Sequence, residues 1–525
     1  MKILITDSIE QSCVDILTRE GFQVDLKPGL PAEEIKQIIH EYAALVVRSG
    51  TKVTADIIEK AVSMKVIGRA GAGVDNIDSA AASRKGIIVM NTPGGNTLST
   101  AEHTFSMLMA LARNIPNANA SLVAGRWDRK KFMGTELFGK TLGIIGLGKI
   151  GREVAIRAQA FGMVTISYDP VLGVDVASKM KVELVTLDEI FRRSDFITVH
   201  TPLSDETRGL LNEQTIARCK KGVRIINCAR GGIVDEAALL KALDNGQVAG
   251  AALDVFVEEP PKDYTLVKHP NVVATPHLGA STEEAQEKVA IQIAEQIADA
   301  LKDRGIVGAV NAAALQAGVP NEIKPYLSLA EKLGSLQAQV MKGQLKELSI
   351  DLTGELLHKH SELIKAGVLR GLLSKIMSQP VNYINAPVLA QSMGVRISEK
   401  KDVDSGDYAN LLTIGYKTDV EERSFAGTAL GGKHLKIVRL DKYYVEGNPN
   451  GTFLYYTNID RPGMLAKVGA LLAEANINIA GLSLGRSGIG ERALTVVGVD
   501  NPIPDAVLQK VAALDGVFNA KVVTL

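Results

Sequence analysis

The chain has 525 residues, more than one hydrophobic core can organise, so we expect three or four domains. Its 59 acidic and 59 basic side chains give a formal net charge of zero, and no long Lys/Arg cluster stands out, so we predict no nucleic-acid or membrane partner. The longest apolar runs, such as residues 249–257, are far shorter than the roughly 18 residues of a membrane span. The three cysteines lack disulfide or metal-ligand spacing, and no signal or transit peptide is recognisable. We therefore predict a cytoplasmic protein that binds no metal.

Two α/β series occupy the first 300 residues. In the first, short apolar runs alternate with amphipathic stretches, which predicts a parallel sheet with crossover helices. A helical segment over residues 99–114 then leads into a second series, whose six strands indicate a dinucleotide-binding sheet. The predicted strands are 2–6, 43–48, 65–69 and 87–90 in the first series, and 141–145, 164–168, 196–201, 224–227, 250–255 and 272–275 in the second.

The second half of the chain begins with a long amphipathic helix over residues 283–302. We expect this helix to pack back on the first domain, which makes that domain discontinuous. A linker over 306–320 follows, then a mixed α+β region that ends at a Gly/Asn/Pro cluster, and last a strand–helix–strand–strand–helix–strand order typical of the ferredoxin-like fold. The predicted domains are 1–97 with 284–306, 98–283, 317–448 and 452–525.

A glycine-rich hexapeptide follows the strand that opens the second series: Gly146, Leu147, Gly148, Lys149, Ile150 and Gly151. This G-x-G-x-x-G order at the head of a helix suits a pyrophosphate, because the glycines permit a tight turn and close approach. Asp169, at the end of the next strand, is placed to bind the ribose hydroxyls. A carboxylate there repels a 2′-phosphate, so we predict NAD rather than NADP. The alternative is a turn-forming glycine cluster beside a surface aspartate.

Three motifs further along carry the catalytic prediction. The segments Asn227–Asp235, Leu253–Pro260 and Thr275–Ala280 resemble the signatures of the D-isomer-specific 2-hydroxyacid dehydrogenase family. The resemblance places the family's catalytic Arg, Glu and His on Arg230, Glu259 and His277. Imidazole is the natural base for the hydroxyl proton, a carboxylate fixes its tautomer, and a guanidinium fork pairs with the substrate carboxylate. The further cofactor contacts implied are Ala72, Thr201, Cys228, Ala229, Asp254, Gly279 and Ala280, with Asp254 near the nicotinamide.

The first-domain motifs are similar to those of the D-3-phosphoglycerate dehydrogenase branch of that family, notably residues 47–49, 68–76 and 91–93. The resemblance implies 3-phosphoglycerate as substrate. Basic residues of the segment 127–132 would reach the neighbouring subunit's phosphate site, so we expect at least a homodimer and favour a homotetramer. A solvated charge run is the alternative for that segment. The implied substrate contacts are Arg48, Gly73, Val74, Asn96, Arg129 and Lys130.

The last 75 residues resemble an ACT domain, a small-ligand sensing module, through residues 458–463 and 476–479. The resemblance implies an L-serine effector held by Asn458, Asp460 and Asn478, whereas an ACT domain retained only for assembly is the alternative. The region before it corresponds to the intervening domain of the long form. Its basic run at 433–439 fits an anion site or a solvated strand equally well.

Taken over the whole chain, the resemblance implies an oxidoreductase that converts 3-phosphoglycerate to 3-phosphohydroxypyruvate with NAD. The nearest rival is a glycerate or hydroxypyruvate dehydrogenase, which normally lacks the C-terminal 200 residues. A rival of another class is a dinucleotide-sensing scaffold, because corepressors of this superfamily use the same fold to recruit proteins. The neutral charge and the ACT-like module argue against the scaffold.

Overall fold

The computed structural model describes residues 1–312, 315, 319–403 and 407–525. The predicted fold class is confirmed, since two parallel α/β sheets precede a mixed sheet and an antiparallel sheet. The linker predicted over 306–320 and the domain start predicted at 317 fall partly on residues 313–314 and 316–318, which lie outside the described residues. In the described part of the chain, no helix is both long and apolar enough to cross a membrane.

The first sheet has five parallel strands in the order β2-β1-β3-β4-β5. Strand β3 is buried at all four positions, as a strand covered by helices on both faces requires. Strand β2 escapes sequence prediction because its QVDL segment is partly exposed and has no apolar run. The elements are β1 (Lys2–Ile5), α1 (Gln11–Arg19), β2 (Gln23–Leu26), α2 (Ala32–Ile38), a 3-10 turn (Ile39–Glu41), β3 (Ala44–Val47), α3 (Ala55–Lys60), β4 (Val66–Arg69), α4 (Ser79–Lys85) and β5 (Ile88–Met90).

The second sheet has seven parallel strands in the order β12-β11-β10-β9-β6-β7-β8, which is the dinucleotide-binding order. The seventh strand, which the sequence analysis missed, is β8, a two-residue edge strand too short to show a pattern. The elements are α5 (Thr97–Ala112), α6 (Ile115–Val123), β6 (Thr141–Ile145), α7 (Lys149–Ala160), β7 (Val164–Tyr168), α8 (Val174–Lys179), β8 (Glu183–Leu184), α9 (Leu187–Arg193), β9 (Phe196–Val199), α10 (Glu213–Ala217), β10 (Val223–Asn227), α11 (Glu236–Asp244), β11 (Val248–Leu253) and β12 (Val272–Ala274).

Helix α12 (Glu283–Leu301) leaves the second sheet and packs on the first. Its apolar face buries Val289, Ile293 and Ile297 in one cluster with the side chains of β1 and α1. The helix approaches β4 so closely at Gly68 that a Cβ there would lie 2.5 Å from the Ile297 Cδ1. The first α/β unit is therefore built from two separate stretches of chain.

The mixed sheet has the order β14-β13-β15-β16-β17-β18, and only the β13–β14 pair is parallel. Two long helices, α13 and α15, pack on it in close contact, because a Cβ at Gly334 would lie 2.2 Å from the Val368 carbonyl oxygen. The elements are α13 (Lys324–Val340), β13 (Leu345–Thr353), α14 (Glu355–Lys359), α15 (Ser361–Leu373), α16 (Asn385–Ser392), β14 (Arg396–Asp402), β15 (Leu411–Thr418), β16 (Glu422–Leu430), β17 (His434–Leu440) and β18 (Tyr443–Gly447).

The last module has the predicted ferredoxin-like order, with an antiparallel sheet β20-β21-β19-β22. Its Tyr455, Leu494 and Val523 are buried in the same cluster as the core of the mixed α+β unit, so one face of this module packs on that unit, while the other face covers a core of its own. The elements are β19 (Thr452–Ile459), α17 (Met464–Glu474), β20 (Ile479–Arg486), β21 (Arg492–Val499), α18 (Asp505–Ala512) and β22 (Val517–Thr524).

Candidate active site

Each of the three glycines in the turn between β6 and α7 is required for a different steric reason. Gly146 has φ +94°, and a Cβ there would lie 2.7 Å from the His200 carbonyl oxygen. A Cβ at Gly151 would lie 2.2 Å from the Gly146 carbonyl oxygen, so this glycine permits close helix–strand packing. Nothing lies within 4 Å of the Cβ position at Gly148, which leaves open space in front of the helix N-terminus. A pyrophosphate fits that space and faces the free N–H groups of α7.

Asp169 is held beside this turn by backbone amides. One carboxylate oxygen accepts a hydrogen bond from the Leu147 N–H at 2.9 Å, and the other accepts from Val171 and Leu172 at 2.9 and 3.0 Å. Nearby, the Thr201 hydroxyl is buried without a partner among the described residues, next to Gly146. The fixed carboxylate and the unsatisfied hydroxyl both fit a dinucleotide without a 2′-phosphate.

The Asp169→Ala variant is expected to raise the Michaelis constant for NAD on the order of tenfold to a hundredfold, because hydrogen bonds to a charged group are lost. Activity with NADP should rise relative to NAD, since the repelling charge is gone. Initial rates with both dinucleotides measure this, with Asp175→Ala on the exposed helix α8 as control. An unchanged preference for NAD in the Asp169 variant would remove this residue from the cofactor site.

Glu259 and His277 form a hydrogen-bonded pair. The His277 Nδ1 lies 2.7 Å from the Glu259 Oε2, while the Glu259 Oε1 accepts from the Phe256 N–H at 3.1 Å. Burial acts to raise the pKa of Glu259, but the hydrogen bonds from His277 and Phe256 outweigh it and hold that pKa below its usual range. An ionised Glu259 fixes the proton on Nδ1 and leaves Nε2 as the base. His277 keeps 43% of its side chain exposed, so this nitrogen is accessible.

Asp254 supports the segment that carries His277. Its carboxylate is fully buried and accepts hydrogen bonds from the Leu278 and Gly279 N–H groups at 2.7 and 2.8 Å and from the Thr275 hydroxyl at 2.6 Å. The His103 Nε2, on α5, lies 3.1 Å from the same carboxylate. Burial acts to raise the pKa of Asp254, but these partners, with His103 first, hold it below its usual range. His103 is not among the residues predicted from the sequence, since no local pattern connects it to Asp254, 151 positions away.

The Asp254→Asn variant is expected to lose thermal stability at pH 7, because an amide replaces a charge that accepts two backbone N–H bonds. In the wild type, the ionised Asp254 carboxylate stabilises the folded state fully above the ordinary carboxyl pKa of about 4. This stabilisation is lost as the pH falls through the lower pKa that Asp254 has in the folded state. The melting temperature of the variant should therefore depend less on pH than that of the wild type between about pH 5 and pH 3. Melting curves at several pH values test this, with the exposed Asp244→Asn as control. Equal pH dependence in wild type and Asp254 variant would contradict it.

Arg230 lies at the turn after β10 and faces the first unit. Its Nε donates to the Asp75 carboxylate at 2.9 Å, and its Nη1 donates to the Ala229 carbonyl at 2.7 Å. The guanidinium packs directly against the Gly73 backbone, since a Cβ at position 73 would lie 2.1 Å from the Arg230 Nη2. Asn227 fixes the turn, because its side chain bonds both the Ala229 N–H and the Arg230 carbonyl. The fork is thus positioned against the Gly73 backbone.

Three guanidinium groups lie near one another at one edge of the two sheets, those of Arg48, Arg69 and Arg230. Arg69 donates to the Asn76 side chain at 2.9 Å, and burial, followed by the positive charges of Arg230 and Arg48, lowers its pKa. Three cations that face one another favour an anionic substrate. Arg69 is not among the predicted site residues, although it stands in the motif of residues 68–76. Its position at the end of β4 is the signal that places it in the site.

The other predicted cofactor and substrate residues line the same region. Ala72 accepts a hydrogen bond on its carbonyl from the Asn91 side chain, and Asn96 precedes the first turn of α5. Burial raises the pKa of Cys228 to about 12, which keeps it a thiol. The remaining members, Lys149, Ile150, Val74, Gly279 and Ala280, lie in the turns already described or directly beside them.

Arg129 and Lys130 are exposed after α6, outside this cluster of arginines.

In the last module, Asn458 is buried, and its side chain bonds the Ile459 carbonyl and the Thr495 hydroxyl at 2.8 and 3.2 Å. The Asp460 Oδ2 lies 3.4 Å from Arg486 and from the Gly490 N–H, and Asn478 donates to Asp500 at 2.6 Å. Among the described residues, no group of three or more His, Cys, Asp or Glu side chains is arranged to hold a metal ion.

Comparisons with known proteins decide the family. Residues 105–279 match the model of the D-isomer specific 2-hydroxyacid dehydrogenase NAD binding domain, residues 322–441 the D-3-phosphoglycerate dehydrogenase intervening domain, and residues 453–516 the ACT domain. The chain is 44% identical over 525 residues to D-3-phosphoglycerate dehydrogenase from Synechocystis sp., which covers 100% of this chain and 95% of that protein. The chain belongs to the D-3-phosphoglycerate dehydrogenase family.

Other members support the same assignment. The D-3-phosphoglycerate dehydrogenase of Methanocaldococcus jannaschii is 43% identical over 526 residues, 100% of both chains, and that of Homo sapiens is 52% identical over 398 residues, 76% of this chain and 75% of the human protein. Among solved structures, D-lactate dehydrogenase from Aquifex aeolicus, complexed with NAD and lactic acid, is 28% identical with a TM-score of 0.52, covering 57% of this chain and 96% of that one. The predicted family, the NAD cofactor and the dehydrogenase class are confirmed.

Proposed function

We propose that the chain oxidises 3-phospho-D-glycerate to 3-phosphohydroxypyruvate, the entry reaction of L-serine synthesis. The observation that carries this proposal is the His277–Glu259 pair, which lies in one unit with Arg230. Arg230 in turn lies close enough to Arg69 of the other unit for its charge to lower the pKa of Arg69. A base, a carboxylate-binding fork and additional cations are the groups that a phosphorylated 2-hydroxy acid requires.

In this mechanism the Arg230 fork pairs with the substrate carboxylate and presents C2 and its hydroxyl to His277. Bound NAD supplies the hydride acceptor. The His277 Nε2 removes the hydroxyl proton as the C2 hydride leaves, and the Glu259 carboxylate, 2.7 Å from Nδ1, stabilises the imidazolium that forms. Arg48 and Arg69 provide the positive charge that favours the phosphorylated end of the substrate.

We propose a homo-oligomer, dimer or tetramer, in which Arg129 and Lys130 reach the phosphate site of a second copy. An unusual number of large apolar side chains on the arm around α6 are exposed within one chain, which is typical of an interface. These side chains are Ile115, Leu122, Val123, Trp127, Met133 and Phe138.

We also propose L-serine as effector, held through Asp460 and Asn478 with Asn458 beneath them. Within the part of the chain that the structure describes, the Asp460 carboxylate makes only long contacts of 3.4 Å, so it remains available to an ammonium group. The cytoplasm is the proposed location, because the three cysteines are buried and free, as a reducing compartment favours.

The test is NADH formation with 3-phosphoglycerate, D-glycerate and D-lactate in parallel, with and without millimolar L-serine. We expect a strong preference for the phosphorylated acid and suppression by serine. A preference for D-glycerate would instead favour the glycerate dehydrogenase reading and make Arg129 and Lys130 a charged surface only. NAD binding without turnover of any acid would favour a dinucleotide-sensing scaffold.

A further inference from the structure

The loop that follows β3, residues 48–51, carries Arg48 and is fixed to the first sheet on two sides; we call it the arginine loop. On one side lies the Asp7 carboxylate, just after β1. It accepts hydrogen bonds from the Thr51 hydroxyl at 2.7 Å, from the Thr51 N–H at 3.2 Å and from the Arg48 N–H. A Cβ at Gly50 would lie 2.8 Å from the same carboxylate, so the arginine loop packs directly against it.

The other side of the arginine loop is fixed by Asn76. Its Nδ2 donates to the Arg48 carbonyl at 2.7 Å and to the Thr51 carbonyl at 2.6 Å. Its Oδ1 accepts a hydrogen bond from the Arg69 Nε at 2.9 Å. Only this orientation of the amide satisfies all three partners, and it uses both donors and the acceptor of the side chain. One asparagine therefore connects the backbone of one arginine to the guanidinium of another.

Asn76 holds Arg69 without neutralising it. A carboxylate at position 76 would cancel the charge of the guanidinium and would also point an acceptor at two carbonyl oxygens. Within the part of the chain that the structure describes, neither Arg48 nor Arg69 forms an ion pair, whereas the Arg230 guanidinium is paired at 2.9 Å. The charges of Arg48 and Arg69 are thus available to an anion that enters the site.

Arg69 also lies close to other cations, so its position has to be maintained against repulsion. Burial is the first cause that lowers its pKa, and the positive charges of Arg230 and Arg48 add to it. Its guanidinium packs on the Gly71 backbone, since a Cβ at position 71 would lie 2.7 Å from the Arg69 Nη1. Without the acceptor on Asn76, repulsion would favour conformations in which this guanidinium turns away from the other two.

We propose that Asn76 is a positioning residue that sets the preference for a phosphorylated hydroxy acid over its unphosphorylated counterpart. The inference rests on the proposed function, in which Arg48 and Arg69 supply the charge for the phosphorylated end of the substrate. Two guanidinium groups stabilise one phosphate group best when both converge on it, because each attraction falls with distance. Asn76 keeps them in that arrangement, and since all its hydrogen bonds are made within the protein, it acts on the substrate only through them.

The test compares kcat/KM for 3-phosphoglycerate and D-glycerate, which differ only in the phosphate group, in the full-length enzyme at saturating NAD. We expect Asn76→Ala to lower the preference for the phosphorylated acid about tenfold, as loss of a hydrogen bond to a charged group does. The loss should lie in the Michaelis constant for 3-phosphoglycerate, while kcat, and kcat/KM for D-glycerate, stay within about twofold of wild type. Asn76→Ser is a milder second variant, because its hydroxyl can keep one hydrogen bond, and its preference should lie between those of Asn76→Ala and wild type.

Asn311→Ala is the matched control. The Asn311 side chain also holds backbone groups of the first unit, because it accepts from the Val89 N–H at 2.8 Å and donates to the Ile87 carbonyl at 2.9 Å. These contacts lie towards the amino end of β5, whereas Arg69 lies at the carboxyl end of the parallel strand β4. The control should lose thermal stability, as Asn76→Ala does, and should keep the wild-type preference between the two acids.

Combination with Arg69→Gln gives a second readout that a purely structural role would not produce. If Asn76 acts through Arg69, the double variant should lose clearly less preference than the product of the two single losses, because the first substitution already removes the interaction. Losses that multiply in full would show that the two residues act independently and would overturn the proposal.

Two further outcomes would also overturn it: a parallel loss for both acids in Asn76→Ala, which is the result of structural support alone, and a preference equal to that of wild type. The proposed function fails in a different way. A wild type that itself prefers D-glycerate would refute both the proposed function and this inference, whereas a wild type that prefers 3-phosphoglycerate, with an Asn76→Ala variant that prefers it equally, would refute the inference alone.

Discussion

The His277→Ala variant is expected to turn over its hydroxy acid about 10²–10⁴-fold more slowly than the wild type, because general base catalysis contributes in that range. The Nδ1 of this imidazole is hydrogen-bonded to Glu259 at 2.7 Å, so Nε2 is the nitrogen that is free to act as the base and that the substitution removes. The Michaelis constant for NAD should change little, since the glycine-rich turn and Asp169 lie outside this pair. Steady-state kinetics at saturating NAD measures both quantities.

Added imidazole provides a sharper test of the same role. If His277 is the base, exogenous imidazole should restore part of the lost turnover in the alanine variant and leave wild type unaffected. His434→Ala, an exposed histidine on strand β17, is the matched control and should behave as wild type. Turnover near the wild-type value in the His277 variant, without imidazole, would show that another group removes the proton.

The Arg230→Gln variant is expected to lose about 30-fold to 1000-fold in kcat/KM for the hydroxy acid. Loss of one partner of a charge pair held by hydrogen bonds costs about 2–5 kcal/mol when the pair is buried, and the partial exposure of Arg230 favours the lower part of that range. The kcat/KM of Arg230→Lys should lie between those of Arg230→Gln and the wild type, because lysine keeps the positive charge but lacks the planar fork. Kinetics over a range of substrate concentration measures the loss.

Arg224→Gln is the control for this prediction. Arg224 lies on the same strand, β10, but its guanidinium lies over the Phe196 ring and does not face the first unit. Its substitution should leave the substrate Michaelis constant unchanged. A similar loss in both variants would mean that disturbance of β10, and not loss of a carboxylate contact, explains the Arg230 result.

Strand positions were the most predictable part of the fold. The strands Thr141–Ile145 and Val164–Tyr168 agree with the sequence prediction residue for residue, because both lie inside a parallel sheet covered on both faces and bury most of their residues. Edge strands β2 and β8 have partly exposed residues and leave no such pattern. The ACT-like module was predictable from its order of elements, whereas the burial of Asn458 was not, since it depends on which face of β19 is covered.

The chemistry of the site was predictable as motifs but not as contacts. Arg230, Glu259 and His277 stand in local signatures, so the sequence alone nominates them. The supports are long-range: Asp75 meets Arg230 across 155 positions, and His103 meets Asp254 across 151. No single window of sequence contains both members of either pair.

The return of α12 to the first sheet determines the order in which the protein can be completed during synthesis. The apolar face shared by β1 and α1 stays without its cover until the chain has been made to about residue 301, after the whole dinucleotide-binding unit. Contacts between residues so far apart in sequence make folding slow and leave apolar surface exposed in the meantime. A fragment that ends before α12 therefore carries an unfinished core and is prone to aggregation, although it contains every strand of the first sheet.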